Sequence, residues 1–302
     1  MLNDVINWLL EDDNPAVKYR TQTELLDMPK KSAETEMTRK ALLSSDLMKS
    51  VMALFDVGKN FSDSHALSAL AEYGLTRDDV DIDSYVNRHI INTNFRDGCG
   101  EGFLLRNLVA LGYTTNQAVI NELPLILAAQ QSDGGYPCIS NNPKIKKPCV
   151  PHKSCFQMTA SYLLLAAEMF KKGVDCPQTE GIVNYFLCRD VLYRHDDPNR
   201  FVKDVHATTF HPPVCIRIGL HMILCALSVL GKGSDPGCKR AWEILSGKCD
   251  VKGRNPSGVF VHGKYILDGS LTKPYLKIEK PGKPSKWVTF YSLLAKKERD
   301  KL

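Results

Sequence analysis

Cysteine and histidine side chains, which serve proteins as nucleophiles and metal ligands, concentrate in two parts of this 302-residue sequence. In the first part, Cys149-Val-Pro-His152-Lys-Ser-Cys155 places three soft ligands within seven residues, and Cys138 lies eleven residues before Cys149. Prolines keep this stretch irregular, so it is able to fold around one ion, and thiolate and imidazole are the ligands that zinc prefers. The spacing therefore predicts a zinc site at Cys138, Cys149, His152 and Cys155. The alternative is that these cysteines are small buried apolar residues.

The second part is the segment HATTFHPPVCIRIGLH, residues 206–221. Arg217 and His221 are one helical turn apart, so both project from one face of an otherwise apolar helix. A charged Arg217 in such a place needs a partner, which is either an internal carboxylate or the acidic group of a substrate. An alternative for this part is a thiol nucleophile, Cys155 or Cys215, activated by His152 or His211. The predicted catalytic residues are His206, His211, Cys215 and His221, and the predicted substrate-binding residues are Arg217, Tyr136 and Phe156.

A repeated unit of two helices separated by glycine-containing turns is predicted to position these residues. The first helices of the four copies cover 65–75, 103–113, 161–173 and 220–233, and the second helices cover 78–90, 116–129, 179–192 and 235–245. Each first helix is almost continuously apolar, whereas each second helix is amphipathic. This pattern predicts an inner ring of buried helices with an outer ring facing water, or alternatively a stacked solenoid.

The segments outside the four copies also predict helices. Residues 4–26 form a further hairpin in which Asn14 caps a helix that has Pro15 in its first turn, and residues 285–297 form a closing helix. The whole chain is expected to be all-α, with about twelve or thirteen helices and short strands near 258–266. We expect one domain, 1–302, with N-terminal hairpins in 1–60 packed on the ring or continuing it.

The composition is that of an ordinary globular protein, with 43% hydrophobic and 24% charged residues and a net charge of +5. The basic clusters at 144–147 and 273–286 lack interleaved aromatic residues, so nucleic-acid binding is not predicted. The N-terminal residues lack the pattern of a secretory signal, and the longest apolar run, 218–230, is too short to span a bilayer. These features predict a cytoplasmic protein without a transmembrane segment, in which the ten scattered cysteines are mostly free thiols.

One motif connects the repeats with a known superfamily. Gln130-Gln-Ser-Asp-Gly-Gly-Tyr136 resembles the Q-x-x-D-G-G-W motif of squalene–hopene cyclases, with tyrosine in place of tryptophan, and residues 94–99 resemble a degenerate second copy. In addition, WLLEDDNP, DGGYPC and GKPSKW resemble bacterial proteins described as prenyltransferase or squalene cyclase-like. The resemblance covers the whole chain. It implies an αα-toroid, the fold of terpenoid cyclases and protein prenyltransferases.

The resemblance also implies chemistry that the residues support only in part. The cyclases use a D-x-D-D acid, but the one acidic run, 78–83, lacks that spacing and is predicted to favour the dipole of a helix start. We therefore expect an enzyme without this acid, acting on an apolar, isoprenoid-like small molecule in a central cavity lined by cysteine and histidine. The alternatives are a zinc-assisted thiol alkyl or prenyl transferase and a non-catalytic toroid that binds a ligand or a protein.

Overall fold

The computed structural model of the chain describes residues 2–91, 99–137, 154–202, 218–247, 249–250, 259–260 and 284–301. Within these ranges the protein is all-helical, as predicted, apart from one antiparallel pair of two-residue strands, β1 (Cys249–Asp250) and β2 (Val259–Phe260). None of the helices in these ranges combines the length and the apolar character needed to cross a lipid bilayer.

Thirteen α-helices make up the regular structure of the described residues. They are α1 (Leu2–Leu9), α2 (Pro15–Arg20), which continues in a π-helical turn (Thr21–Leu25), α3 (Ala33–Ser44), α4 (Asp46–Asp56), α5 (Asn60–Glu72), α6 (Asp83–Ile91), α7 (Cys99–Ala110), α8 (Gln117–Leu127), α9 (Phe156–Lys171), α10 (Thr179–Leu187), α11 (Leu220–Val229), α12 (Lys239–Ser246) and α13 (Lys286–Asp300). The four predicted helix pairs are confirmed as α5 with α6, α7 with α8, α9 with α10 and α11 with α12.

The helix ends follow the capping signals of the sequence. The Asn14 side chain accepts a hydrogen bond from the Val17 amide at the start of α2, with Pro15 as its first residue, and Ser285 caps α13 in the same way. Glycines with positive φ follow the C-terminal ends of α5, α7, α9 and α11, which is the left-handed cap conformation that glycine adopts without strain. These glycines are Gly74, Gly112, Gly173 and Gly231.

The start of α6 differs from the prediction, because the helix begins at Asp83 rather than at Asp78. The carboxylate of Asp79 accepts hydrogen bonds from the Thr76 amide (2.8 Å) and hydroxyl (2.9 Å), and it also pairs with Arg39. These local bonds stabilise a turn in place of the first helical residues. Asp79 therefore stabilises a turn before the helix, whereas the prediction placed it in the first turn of the helix.

The first helices of the hairpins pack against one another in sequence order. We call α5, α7, α9, α11 and α13 the inner helices: α5 contacts α7, α7 contacts α9, α9 contacts α11, and α11 contacts α13. The last inner helix, α13, also packs on α2 and its π-helical turn, near the start of the chain. All ten residues of α11 and thirteen of the sixteen residues of α9 are buried, so these two helices are covered on every side.

The inner helices run in the same direction. A cavity of about 390 Å³, which we call the C-terminal cavity, lies where all five of them end. Its lining includes one residue near the end of each helix: Ala71, Ala110, Lys171, Val229 and Glu298. The N-terminal ends of the inner helices consequently lie together at the opposite side of the protein.

Candidate functional site

The glycine-rich motif at 130–136, which we call the repeat turn, ties two repeats together. The side-chain amide of Gln130 donates two hydrogen bonds. One goes to the backbone carbonyl of Gly134 in the same turn (3.0 Å), and the other goes to the backbone carbonyl of Gln178, just before α10 (3.1 Å). Gly134 has a φ of +81°, and a Cβ atom there would lie 2.0 Å from the Gly181 carbonyl oxygen. Glycine is therefore needed both for the backbone conformation and for the close approach of α10.

Tyr136 and Phe156, two of the predicted substrate-binding residues, lie in the core. Tyr136 is 1% exposed, stacks on Tyr162 of α9 with ring centroids 4.1 Å apart, and donates a hydrogen bond to a backbone carbonyl of α8. Phe156 is 3% exposed and packs edge-to-face on Phe186 of α10. The Tyr136 ring therefore packs on the next repeat, and substrate binding by these two residues stays a prediction.

Two further predicted residues are described by the structure. Cys155 is the N-terminal cap residue of α9, is half-buried, and donates its backbone amide to the Tyr136 carbonyl (2.7 Å). His221 is fully buried in the first turn of α11, with its ring 6.0 Å from that of Tyr291 in α13. The structure therefore brings Cys155, Phe156 and Tyr136 together at the start of α9, and it places His221 at the start of the neighbouring inner helix.

The remaining candidates lie outside the described residues. They are the predicted zinc ligands Cys138, Cys149 and His152, the predicted catalytic residues His206, His211 and Cys215, and the predicted substrate-binding residue Arg217. Within the described part of the chain, no three histidine, cysteine, aspartate or glutamate side chains are grouped as a metal site. Cys155 is the one predicted zinc ligand that the structure describes.

A cavity of about 430 Å³, which we call the α9 cavity, lies beside the start of α9. Ser154 and Phe156, the two chain neighbours of Cys155, line it together with Tyr185 and Arg189 at the end of α10. The Arg189 guanidinium lies 3.9 Å from the centre of the Tyr185 ring and 3.0 Å from the carboxylate of Asp133 in the repeat turn. Burial raises the pKa of Tyr185 to about 12, so its phenol stays protonated and can donate a hydrogen bond.

A hairpin that follows α10, residues 190–202, covers one side of the α9 cavity, and we call it the strained hairpin. Asp190 has a φ of +43° and Val191 a φ of +68°, although neither is glycine. A left-handed backbone at a β-branched residue costs on the order of 1–3 kcal/mol, and such strain persists only where surrounding contacts impose it. Strained residues cluster at ligand-binding and catalytic sites.

Arg240 of α12 supplies those surrounding contacts. Its guanidinium binds the carboxylate of Asp190 (3.0 Å) and the carbonyl of Pro198 (2.7 Å), and it stacks 3.4 Å from the centre of the Tyr193 ring. The hairpin is thereby fixed to the outer helix of the next repeat. As a result, three consecutive polar side chains line the α9 cavity: Arg194, His195 and Asp196.

A buried group of charges, which we call the ion network, joins α5, α7 and α9 near their C-terminal ends and reaches the second turn of α13. Arg20 of α2 donates to both oxygens of Glu24 (2.5 and 2.9 Å) and to the hydroxyl of Tyr291 in α13 (2.8 Å). Tyr291 in turn donates to the carboxylate of Glu72 in α5. Arg106 of α7 binds the same carboxylate at 2.7 Å. The network therefore connects the first helical segments of the chain with the last helix.

Arg106 extends the ion network to α9 through Glu168 (3.3 Å), which also lies 3.5 Å from Lys171. Arg20 and Arg106 are each 4% exposed at the side chain, and Glu72 is 1% exposed. Burial alone would lower the pKa of Arg106, but the carboxylates of Glu72 and Glu168 raise it. Both arginines are therefore permanently charged, and the surrounding carboxylates neutralise them.

Sequence reasoning missed the ion network. The signal that was present is a charged residue directly after or within the apolar stretch of each of three inner helices, with alternating sign along the chain: Glu72, Arg106 and Glu168. Isolated charges in buried helices need partners of opposite sign, so the alternation indicates neighbouring helices that pair through them. Arg20 gave no comparable signal, because it belongs to a short amphipathic segment.

The ion network makes the stability of the protein depend on pH through Glu24. Burial favours a raised pKa for Glu24, but the charge and hydrogen bonds of Arg20 lower it from 4.5 to about 2. This stabilisation is present above pH 4.5 and is lost as the pH falls towards 2. We expect Glu24→Gln to lower the free energy of unfolding at pH 7 and the difference from wild type to shrink between pH 4.5 and pH 2. Urea unfolding at a series of pH values measures both quantities.

The matched control is Glu180→Gln. Glu180 is exposed on α10 and forms no ion pair with any other described residue, so its substitution is expected to leave the pH profile unchanged. A Glu24→Gln profile parallel to wild type at every pH would show that Arg20 does not hold this carboxylate.

A scan against protein-family models finds no match for this chain, and neither a search of curated proteins nor a search of solved structures finds one. The function is therefore inferred from the described residues and from the expectations of the sequence.

Proposed function

We propose that the chain folds into an αα-toroid of stacked helical hairpins. The parallel inner helices support this arrangement, because their ends surround one cavity. Ion pairs between the last helix and the start of the chain support it further: Lys286 pairs with Glu11 (3.0 Å) and Lys297 with Asp27 (2.6 Å). An open solenoid keeps its first and last repeats apart, whereas a toroid brings them into contact.

The function that we propose is an enzyme acting on an apolar, isoprenoid-like small molecule at the end of the toroid where the inner helices begin. One observation carries this proposal: a strained hairpin places Arg194 and His195 at a cavity whose walls flank the half-buried Cys155.

The described side chains suit acid–base and nucleophilic chemistry. A thiol at Cys155 is a nucleophile or proton donor, and the imidazole of His195 is a side chain of the type that serves most often as a general acid or base. Buried polar side chains also recur in the first turns of three inner helices, at Gln157, His221 and Thr289. Polar groups in an apolar interior orient a bound molecule through hydrogen bonds.

Turnover by single-site variants tests the proposal. We expect the purified chain to convert a member of a panel of linear isoprenoids, their diphosphates and squalene, detected by mass spectrometry of the products. Cys155→Ser and His195→Ala are expected to lower kcat by about a hundredfold, the usual scale for an acid–base group. The control Cys176→Ser changes a thiol that does not line the α9 cavity and is expected to keep wild-type activity. Equal activities of Cys155→Ser and Cys176→Ser would refute the assignment.

Zinc binding is a proposal that rests on the sequence alone. The described residues supply only Cys155 of the predicted ligand set, so we assign no catalytic step to the metal. Metal analysis of protein purified without chelator tests this site. About one zinc per chain, lost in Cys155→Ser and kept in Cys176→Ser, would favour the zinc-assisted thiol transferase, and metal-free wild-type protein would refute it.

A second candidate function is a non-catalytic toroid that binds a ligand. It is favoured by the complete burial of α11 and by the ion network, because the buried charges of Glu72 and Arg106 are already engaged in contacts within the protein. Native mass spectrometry of the purified chain distinguishes the two candidates. A retained isoprenoid that is never converted would favour the binding toroid, and product formation would favour the enzyme.

A further inference from the structure

We propose that the C-terminal cavity binds an amphipathic anion, a small molecule with one carboxylate or phosphate head group and an apolar body. The cavity lies at the end of the inner helices opposite to the α9 cavity. This inference is independent of the proposed enzyme, because none of the residues that carry it lines the α9 cavity.

The floor of the C-terminal cavity is charged and buried. Arg20 and Arg106, both 4% exposed, line it together with Glu24 and Glu168 of the ion network. Although the network neutralises the two guanidinium groups, the Nε atom of Arg106 has no acceptor among the described residues. A buried donor without an acceptor is costly, so the floor of the cavity is not fully satisfied by the contacts within the protein.

The walls of the cavity carry an excess of positive charge. Six of its lining residues are basic and four are acidic. Two of the acids are neutralised within the chain, Asp27 by Lys297 and Glu298 by Lys301, each pair at 2.6 Å. By contrast, Lys30 and Lys172, which also line the cavity, have no carboxylate within 4.0 Å among the described residues.

A helix dipole accounts for only part of this excess. Basic side chains near helix C-termini offset the partial negative charge there, which is a sufficient reason for Lys171 and Lys172 at the end of α9. Lys30 belongs to no helix, because it lies between the π-helical turn and α3. Its position at the cavity is therefore not explained by a helix end; its charge acts on the Glu24 carboxylate, which Arg20 already neutralises, and it remains available to an anion.

The remaining lining is apolar. Ala110, Val229 and Leu294 form part of the wall, and Phe170 stands at the rim with 62% of its surface exposed. An exposed aromatic ring beside a cavity is a common feature of ligand sites. Unpaired ammonium groups beside an apolar wall match a molecule that has an anionic head and a hydrophobic body. An inorganic anion has no hydrophobic body for the apolar wall, and a neutral alcohol has no charge for the ammonium groups.

Isothermal titration with simple probes tests this inference on the full chain. Decanoate and decyl phosphate are expected to bind at least about tenfold more tightly than decanol or inorganic phosphate, since each control lacks one of the two recognised parts. Equal affinities for decanoate and decanol would overturn the proposal. Binding of decyl phosphate only when it is carried in vesicles would also overturn it, because the surface would then recognise a membrane.

Three exposed residues allow variants that do not disturb folding. The double variant Lys30→Ala/Lys172→Ala is expected to weaken decanoate binding by about tenfold or more, and Phe170→Ala to weaken it by several-fold. Lys31→Ala is the matched control, because Lys31 is the exposed neighbour of Lys30 but does not line the cavity. Unchanged decanoate affinity in the double variant, or an equal loss in Lys31→Ala, would refute the site.

Discussion

Replacement of Gly134 by alanine is expected to lower the free energy of unfolding by more than about 3 kcal/mol. The added Cβ atom would lie 2.0 Å from the Gly181 carbonyl oxygen, and the φ of +81° disfavours any side chain. Because the obstructing atom belongs to the backbone of α10, no rotamer change relieves the clash. Either the repeat turn or α10 must shift, which breaks the hydrogen bonds of Gln130 to both segments.

Gly173→Ala provides the matched control. Gly173 has a similar φ of +67°, but a Cβ atom there would meet nothing within 4 Å. Its substitution is therefore expected to cost only the backbone strain, about 1–2 kcal/mol. Urea unfolding of both variants measures the difference. Equal losses of stability would show that the repeat turn does not depend on its close contact with Gly181.

Replacement of Arg20 by alanine is expected to lower the free energy of unfolding by about 3–5 kcal/mol, the usual cost of removing one partner from a buried charge group. The variant loses the hydrogen bonds to Glu24 and Tyr291 and leaves the Glu72 carboxylate with one guanidinium partner fewer. For a chain of 302 residues this corresponds to a fall of roughly 5–8 °C in the melting temperature. Differential scanning calorimetry measures it directly.

Arg39→Ala is the control for this prediction. Arg39 also has two carboxylate partners, Glu36 and Asp79, but its side chain is 22% exposed and those of its partners are 33% and 15% exposed. A pair accessible to water contributes about 0–1 kcal/mol, so the melting temperature is expected to change little. If both variants lost the same stability, the ion network would not hold the first helices to the last.

The helices of this fold can be predicted from the sequence because the signals that define them are local. Alternation of apolar and amphipathic helices, a capping asparagine at position 14 and glycines after the inner helices all act within a few residues. The late start of α6 was not predicted, because the Asp79 side chain competes with the helix for the backbone of Thr76.

The ion network could not be predicted as a unit. Arg20 contacts a residue 52 positions away in α5 and one 271 positions away in α13, and such contacts are fixed only by the packing of the helices. The repeat turn and the strained hairpin also differ in how far the sequence predicts them. The repeat turn was recognisable from its motif, whereas the left-handed conformation of Val191 contradicts the preference of a β-branched residue and leaves no sequence signal.

Zero-length crosslinking tests most directly whether the inner helices close into a toroid. A carbodiimide joins an amine to a carboxylate only when the two groups are in contact. We expect links between Lys297 and Asp27 and between Lys286 and Glu11, which join the last helix to the start of the chain. Mixing labelled and unlabelled protein identifies the links that form within one molecule.

The pair Lys18 and Asp12, 2.7 Å apart within the first hairpin, controls for reactivity. Closure of the toroid predicts that both long-range links form within single molecules under conditions in which the Lys18 link forms. Formation of the Lys18 link without either long-range link would contradict closure and would place the first and last hairpins apart.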